Sequence, residues 1–251
     1  MQSLSRRDFA QQALGSVLTL SLLETLFQCD AFADEAKPAT VSWLADVNQL
    51  GWDLKDQKLT QVAWQKKIEE LYAKADVADF LRLIDFEKLT HNLEMVDHGA
   101  RSLSFKFPKI EGLPEKIAWG KQIFALKKGR SVVPHGHNNM ATAFLVLKGD
   151  FRGRHYDKIE TEKEHMIVRP TIDRKFTVGE CSTISDHKDN VHWFLALDEP
   201  AFIFNIHVMG INPDNSAPTG RLYIDPNGEK LKDGLIRARL IDYEDANKLY
   251  G

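Results

Sequence analysis

The fold is decided by one stretch of sequence, Gly129-Arg-Ser-Val-Val-Pro-His135-Gly-His137-Asn-Asn-Met-Ala-Thr142, which Gly149 follows seven residues later. In a strand the side chains at i and i+2 point to the same face, so His135 and His137 lie side by side. Two neighbouring imidazoles on a buried face lose hydration unless something uses their lone pairs, and a divalent metal does so. Taken alone, the pair fits equally well two histidines that are hydrogen-bonded or face solvent.

The sequence pattern changes on the two sides of this stretch. A polar lead-in at 34–43 precedes two segments with apolar residues at helical spacing, Leu59–Ala75 and Val77–His91. From Arg101 onward, short alternating stretches such as Ala201–Val208 are separated by Gly, Pro and Asp or Asn, which is typical of an all-β sandwich or barrel. We therefore predict a mainly β protein, with a helical preface at 34–100 packing on a β-barrel at 101–251.

Composition limits the class of protein and its partners. The chain has 251 residues, of which 43% are hydrophobic and 27% charged, and a formal net charge of −3. This is ordinary globular composition, long enough for one sizeable core. Nucleic acid and anionic lipid surfaces both require a basic face, so we predict no nucleic-acid partner. No apolar run beyond the N-terminus is long enough to span a membrane, so we predict no membrane association of the mature chain.

The N-terminus reads as a targeting segment. Arg6 and Arg7 precede a mostly apolar stretch, and Ala31-Phe-Ala33 supplies the small residues of a cleavage site. We predict that residues 1–33 are a twin-arginine signal peptide, with an ordinary amphipathic helix as the alternative. The expected partner is then the twin-arginine export machinery, and the expected location is the periplasm or the exterior. After cleavage only Cys181 remains, which rules out an intramolecular disulfide.

The histidine stretch resembles the first conserved motif of the cupin superfamily. That motif has the spacing found here between Gly129, His135, His137 and Gly149, and His192 stands where the second motif would supply a further histidine. The resemblance spans roughly residues 119–212 and implies a double-stranded β-helix (cupin) barrel with one metal on His135, His137 and His192. Thr142 replaces the usual glutamate ligand, and residues 187–192 depart from the second motif.

Three-histidine cupin sites without the glutamate are characteristic of thiol dioxygenases, and the resemblance extends to that type. Fifteen residues after His192 comes His207, which matches the histidine of their Ser-x-His-x-Tyr triad. Asn205 and Met209 replace the serine and the tyrosine. The resemblance implies a divalent metal, Fe(II) in preference to Zn, Mn or Ni, and a non-haem iron dioxygenase. It also implies a catalytic role for His207.

Other polar residues are candidates for substrate binding. On the strand 201–209 the face that carries Asn205 and His207 is the polar one, which predicts that both line the cavity, while a histidine bonded to a core carbonyl is the alternative. Thr142 is expected to line the same cavity without ligating the metal. Arg154 could clamp an anion and Tyr156 supply a phenol, although an ordinary half-exposed strand and turn is the simpler explanation of both.

Three functional classes follow from these residues. The first is a mononuclear Fe(II) dioxygenase that acts on a small anionic substrate, which a thiol would fit. The second is a cupin that uses its metal for isomerisation or hydrolysis without oxygen. The third is a non-enzymatic metal- or ligand-binding protein. The retained His207 favours the first class, whereas the missing tyrosine favours the other two.

Overall fold

The structure is a computed structural model, and it describes residues 37–213 and 219–251. The predicted signal peptide at 1–33 lies outside the described residues. Among the described helices none is long and apolar enough to cross a membrane.

Four helices precede the strands, and a fifth ends the chain. They are α1 (Pro38–Lys55), α2 (Gln61–Tyr72), α3 (Val77–Leu83), α4 (Phe86–Thr90) and α5 (Tyr243–Tyr250). The predicted lead-in at 34–43 is wrong from Pro38 onward, because a proline in the first turn lacks only an N–H that the helix does not use. The second predicted helix is divided into α3 and α4 by Asp85, whose φ of 49° lies in the left-handed region.

Eleven strands follow from Arg101 onward. They are β1 (Arg101–Leu103), β2 (Gly120–Leu126), β3 (Ser131–Asn138), β4 (Met140–Lys148), β5 (Phe151–Thr161), β6 (His165–Phe176), β7 (Cys181–Ile184), β8 (Val191–Ala196), β9 (Ala201–Met209), β10 (Gly220–Lys230) and β11 (Ile236–Ile241). Six of them close into a barrel in the order β10-β11-β6-β5-β8-β3, and the other five form a sheet in the order β1-β2-β9-β4-β7. All pairs are antiparallel. The predicted mainly β fold with N-terminal helices is confirmed, and it is consistent with a cupin barrel.

Three apolar clusters stabilise the packing of the helices, the five-stranded sheet and the closed barrel. The largest packs α1–α4 on the outer face of the five-stranded sheet, around Trp64, Ile68 and Phe204. A second fills the space between that sheet and the closed barrel, with Phe144, Phe176 and Phe194. A third lies within the closed barrel itself and consists of Tyr156, Met166, Val168, Val191, Ile224 and Ala238. The predicted metal ligand His192 contacts the second cluster, through Phe144 and Phe194.

Candidate metal centre

Three buried histidines converge between the sheet and the barrel. His135 and His137 lie on β3 and His192 lies on β8, where it pairs directly with His135. Their ring centroids are 5.0 Å (135–137), 4.2 Å (135–192) and 4.9 Å (137–192) apart. One ring nitrogen from each lies within 4.8 Å of the others, and none of the three residues is more than 4% exposed. The expectation that these side chains face one another is confirmed.

Hydrogen bonds determine which ring nitrogens remain free. His135 Nδ1–H donates to the Val133 carbonyl at 2.7 Å, so the lone pair of this ring is on Nε2. His137 Nδ1 is 3.1 Å from Thr142 Oγ1, while its Nε2 is buried without a partner. Both ring nitrogens of His192 are also buried without a hydrogen-bond partner. Because buried polar atoms are normally satisfied, these three rings fit a metal ion that takes one nitrogen from each.

The histidines are held in the neutral form that binds metals. Burial, with a smaller contribution from the charge of Arg221, lowers the pKa of His135 to about 3. Burial and the neighbouring histidine also place the pKa values of His137 and His192 well below the ordinary range. All three imidazoles are therefore uncharged at neutral pH, and the cluster contains no carboxylate to offset the charge of an ion.

A glycine lets β3 carry the two histidines at this point. A Cβ at Gly136 would lie 2.5 Å from Asn190 Oδ1, which only glycine avoids without displacing that side chain. Asn190 Nδ2 donates to the carbonyls of His137 and Ser185, at 2.9 and 3.0 Å. The buried amide therefore ties the end of β3 to the loop before β8, which fixes the relative position of the ligands.

The opposite wall of the cavity comes from β4 and β9. Thr142, Asn205 and His207 all line it, as their strand faces predict. His207 Nδ1 lies 3.4 Å from Asn205 Oδ1, and its ring covers Gly120, where a Cβ would be only 2.2 Å from Nε2. Burial, with the charge of Arg221, lowers the pKa of His207, so this ring is also neutral at pH 7.

One residue that the sequence analysis missed, Arg221, lies at the mouth of this cavity. The register between β3 and β10 places it directly opposite His137, and Tyr223 opposite His135. Its positive charge lowers the pKa of all three clustered histidines and of His207. No carboxylate pairs with Arg221 in the part of the chain that the structure describes. Its only sequence signal is an alternating stretch at 221–224, which begins 84 residues after His137.

The cavity has two unequal parts. The inner part, between the histidines and His207, has a free volume of about 10 Å³, which is room for one ion or one water. An outer part of about 80 Å³ lies between Phe124, Tyr223 and Tyr243. His135 and Arg221 line both parts, so an anion in the outer part would lie beside the guanidinium and a metal-ligand candidate.

Arg154 and Tyr156, the other candidates for substrate binding, do not line the cavity at the histidines. On β5 they alternate with His155, and it is His155 that pairs with His192 of the neighbouring strand β8. Arg154 lies 3.5 Å from Asp173 and 4.3 Å from the centre of the Trp193 ring. Together with Tyr156 it lines a separate groove of about 360 Å³. A one-residue difference in strand phase separates the two faces, and the sequence does not mark which face of β5 turns towards the metal.

His155 is a further buried residue, and it contacts the second apolar cluster between the sheet and the barrel. Its Nε2 lies 3.0 Å from Ser182 Oγ, and its ring stacks on Phe176. Burial lowers the pKa of His155 to about 3. It therefore supports the strand that carries His192 as a neutral side chain.

No protein-family model matches the chain, and no curated protein matches it by sequence. Among solved structures, it is similar to an uncharacterized conserved protein with a double-stranded beta-helix domain from Klebsiella pneumoniae, at 11% identity and a TM-score of 0.35, over 54% of this chain and 87% of that one. It is similar to a cupin superfamily protein from Desulfitobacterium hafniense at 13% identity and a TM-score of 0.31, over 47% and 84%.

An 11S globulin from Wrightia tinctoria gives 13% identity and a TM-score of 0.32, over 42% of this chain, and the match spans only 22% of that globulin. Such similarities carry no argument about activity. The chain has the strand arrangement expected of a cupin barrel and a three-histidine cluster that fits a divalent metal.

Proposed function

We propose that this chain is an exported, metal-dependent cupin that holds one divalent metal on His135, His137 and His192. The proposal rests on the convergence of three buried, neutral imidazoles, of which His137 and His192 have buried ring nitrogens with no protein partner. Fe(II) is the preferred metal because the resemblance to thiol dioxygenases implies it. Zn, Mn and Ni are alternatives, because a set of three neutral nitrogens suits several divalent ions and leaves coordination positions open.

We further propose that the reaction is the oxygen-dependent oxidation of a small anionic substrate, a thiol among the candidates. Fe(II), when bound, supplies the capacity to activate oxygen. Arg221 attracts the anion, since its guanidinium lacks a carboxylate partner among the described residues and stands between the two parts of the cavity. Phe124 and Phe144 give the inner part an apolar lining beside the histidines.

His207 would act on the substrate as the catalytic residue. As a neutral imidazole at the cavity wall it can accept a proton from the substrate or return one. Asn205 Oδ1 is the group towards which His207 Nδ1 points, so the amide orients the ring. Thr142 holds His137 rather than the substrate, because its hydroxyl lies on the ring nitrogen of that histidine.

A second candidate is a redox-neutral metal-dependent cupin, an isomerase or hydrolase, or a periplasmic metal- or ligand-binding protein without enzymatic activity. Two observations favour it. Met209 provides no hydroxyl and is 46% exposed, and the inner part of the cavity, at about 10 Å³, leaves little room for oxygen and a substrate together.

The reaction is tested by purifying the mature chain anaerobically, measuring its metal content, and reconstituting it with Fe(II). Oxygen uptake is then followed with cysteine, 3-mercaptopropionate and related small acids. We expect His192→Ala to abolish uptake and metal binding, and His207→Ala to slow uptake while iron stays bound. His98→Ala, at an exposed histidine, is the matched control. If no small acid supports uptake above the His192→Ala background, the redox-neutral reading replaces the dioxygenase.

The anion site is tested separately from the chemistry. Arg221→Met should weaken the binding of small carboxylates to the metal-loaded protein by at least about tenfold, because a charge-assisted hydrogen bond contributes about 1.5–3 kcal/mol. Arg154→Met, at an arginine already occupied by Asp173 and Trp193, should change it less than about twofold. Equal effects of the two substitutions would remove Arg221 from the site.

Export is a proposal on residues 1–33, which lie outside the described residues. A fusion of residues 1–36 to a reporter that is active only outside the cytoplasm tests it. We expect activity that depends on Arg6 and Arg7 together and on the twin-arginine machinery. Export that survives Arg6→Lys combined with Arg7→Lys would contradict that route.

A further inference from the structure

A second cavity lies on the far side of the five-stranded sheet, between α1 and the segment 106–121. We call it the preface pocket. Its volume is about 790 Å³, within the range of about 300–1,000 Å³ typical of small-molecule sites. Its apolar lining consists of Leu44, Phe107, Ile110, Leu113, Ile117 and Trp119.

The preface pocket does not communicate with the metal cavity through β2, because the strand presents alternate residues to the two sides. Gly120 and Gln122 pair with His207 and Asn205, which face the metal cavity. Lys121 lies between them and pairs with Ile206, which belongs to the cluster under the helices. The Lys121 side chain therefore enters the preface pocket.

Lys121 is the half-buried charge of this pocket, and it lacks a counter-ion. Its ammonium lies 5.4 Å from the centre of the Phe105 ring and 5.1 Å from that of Phe107. No carboxylate pairs with it in residues 37–213 and 219–251, and burial lowers its pKa. Contacts with aromatic rings compensate only part of the hydration that a buried cation loses.

Trp119 contributes an aromatic ring to the lining of the preface pocket. It is 4% exposed, lines the preface pocket, and its Nε1–H is buried without a hydrogen-bond partner. The ring packs against Gly51 of α1, where a Cβ would lie 2.9 Å from Cδ1 and 3.7 Å from Nε1, so the N–H edge faces the helix. Trp119 therefore offers the pocket apolar ring surface, and the Lys121 ammonium is the group that would pair with an anion that has an apolar body.

We propose that the preface pocket binds an amphiphilic monocarboxylate, whose carboxylate pairs with Lys121 and whose hydrocarbon or aromatic body packs on Phe107 and Trp119. A single negative charge fits best, because the other charged lining residues are exposed and of both signs: Lys106, Lys109, Glu111 and Glu115. The site needs no metal, and it is independent of the function proposed for the histidine cluster.

The test uses the mature chain and three probes with the same eight-carbon body, namely octanoate, octanol and octylammonium. Tryptophan fluorescence and calorimetry measure binding. We expect octanoate to bind at one site per chain, at least about tenfold more tightly than either of the other two. Lys121→Met should remove that preference, Lys121→Arg should keep it, and Lys128→Met, at an exposed lysine, should leave it unchanged.

Two further variants make the result unambiguous. Trp119→Phe, which keeps an aromatic ring but reduces the apolar surface on which the hydrocarbon body packs, should weaken octanoate binding several-fold while circular dichroism shows a folded chain. His192→Ala should leave octanoate binding unchanged, which separates the preface pocket from the metal centre. The proposal is overturned if octanoate does not bind, if octanol binds as tightly, or if folded Lys121→Met retains the wild-type affinity.

Discussion

The two faces of the five-stranded sheet are both buried, but they differ in chemistry. Towards the helices, β4 presents Ala141, Ala143, Leu145 and Leu147, all part of the largest apolar cluster. Towards the barrel, the same strand presents Thr142, Phe144 and Val146. β9 repeats this division, with Phe202, Phe204, Ile206 and Val208 on the helical side and Ile203, Asn205 and His207 on the barrel side.

Within one strand, the residues on the helical face therefore contribute mainly to the stability of the fold, and those on the barrel face line the candidate metal centre. The helical face is a continuous apolar surface covered by α1–α4, whose burial contributes about 25 cal/mol per Å² of apolar area. The barrel face instead contains polar side chains near the three clustered histidines, and His137 and His192 have buried ring nitrogens without a hydrogen-bond partner. Substitutions on opposite faces of one strand should therefore have separable effects on folding and on metal binding.

The largest expected effect comes from replacing one buried phenylalanine by alanine on each face of the sheet. Phe204 packs on Phe80 with ring centroids 4.8 Å apart, and Phe144 packs on His192 at 5.2 Å. Each Phe→Ala substitution should lower the free energy of unfolding by about 3–5 kcal/mol, measured by urea denaturation. Only Phe144→Ala should also weaken metal binding, because it removes the support of the His192 ring. Loss of metal from folded Phe204→Ala would show that the two faces are coupled.

Much of this division was predictable, because alternation is a local property of a strand. His135, His137, Asn205 and His207 could each be placed on a face from their neighbours alone. The positions of Arg221 and Arg154 could not, because they depend on which strands pair and in which register, and those are long-range choices.

The helices also differ in how far the local sequence predicts them. α2 has an apolar stripe and a Thr60 cap that accepts from Ala63 N–H, and both are visible in the sequence. α1 begins without a side-chain cap, and it is held mainly by residues that pack on the sheet, such as Trp43 and Leu44. Such a helix depends on tertiary contacts that its own sequence does not reveal.

A second prediction uses Cys181, which packs against the cluster on the helical face, as a reporter of that packing. Burial raises the pKa of its thiol to about 11 from an ordinary value of 9.0. Two pKa units lower the thiolate fraction about 100-fold at pH 8, so iodoacetamide should alkylate the native mature chain about 100-fold more slowly than the urea-unfolded chain. Because the folded state retains this proton more tightly, the thiol should lower stability only as the pH rises from 9 towards 11. Equal rates in the native and unfolded chains would mean that the helices do not cover this strand.

A third prediction concerns Thr142 on the barrel face. Thr142→Val removes the oxygen that holds His137 Nδ1–H at 3.1 Å while it keeps the shape of the side chain. Loss of such an outer partner of a metal-binding histidine typically lowers affinity about 10- to 100-fold. Calorimetric titration of Zn or Fe(II) measures the effect, and Thr183→Val, at a buried threonine of β7 bonded to Glu69, is the control. An unchanged affinity for Thr142→Val would exclude Thr142 from orienting His137.

The smallest expected effect, and the most local, is at Gly120, where the sheet makes room for His207. A methyl group there would meet His207 Nε2 at 2.2 Å and Cε1 at 2.7 Å, so Gly120→Ala must push the ring out of the cavity wall. Overpacking of this kind costs about 1–3 kcal/mol. The pKa of His207, which burial and Arg221 hold below its ordinary value, should then rise as the ring gains water. A titration of the histidine Cε1 protons by NMR follows this directly, without any metal. Gly220→Ala is the matched control, because a methyl group at that position meets nothing within 4 Å. If His207 titrates at the same pH in both variants, its ring does not occupy the place over Gly120, and its proposed access to a substrate fails with it.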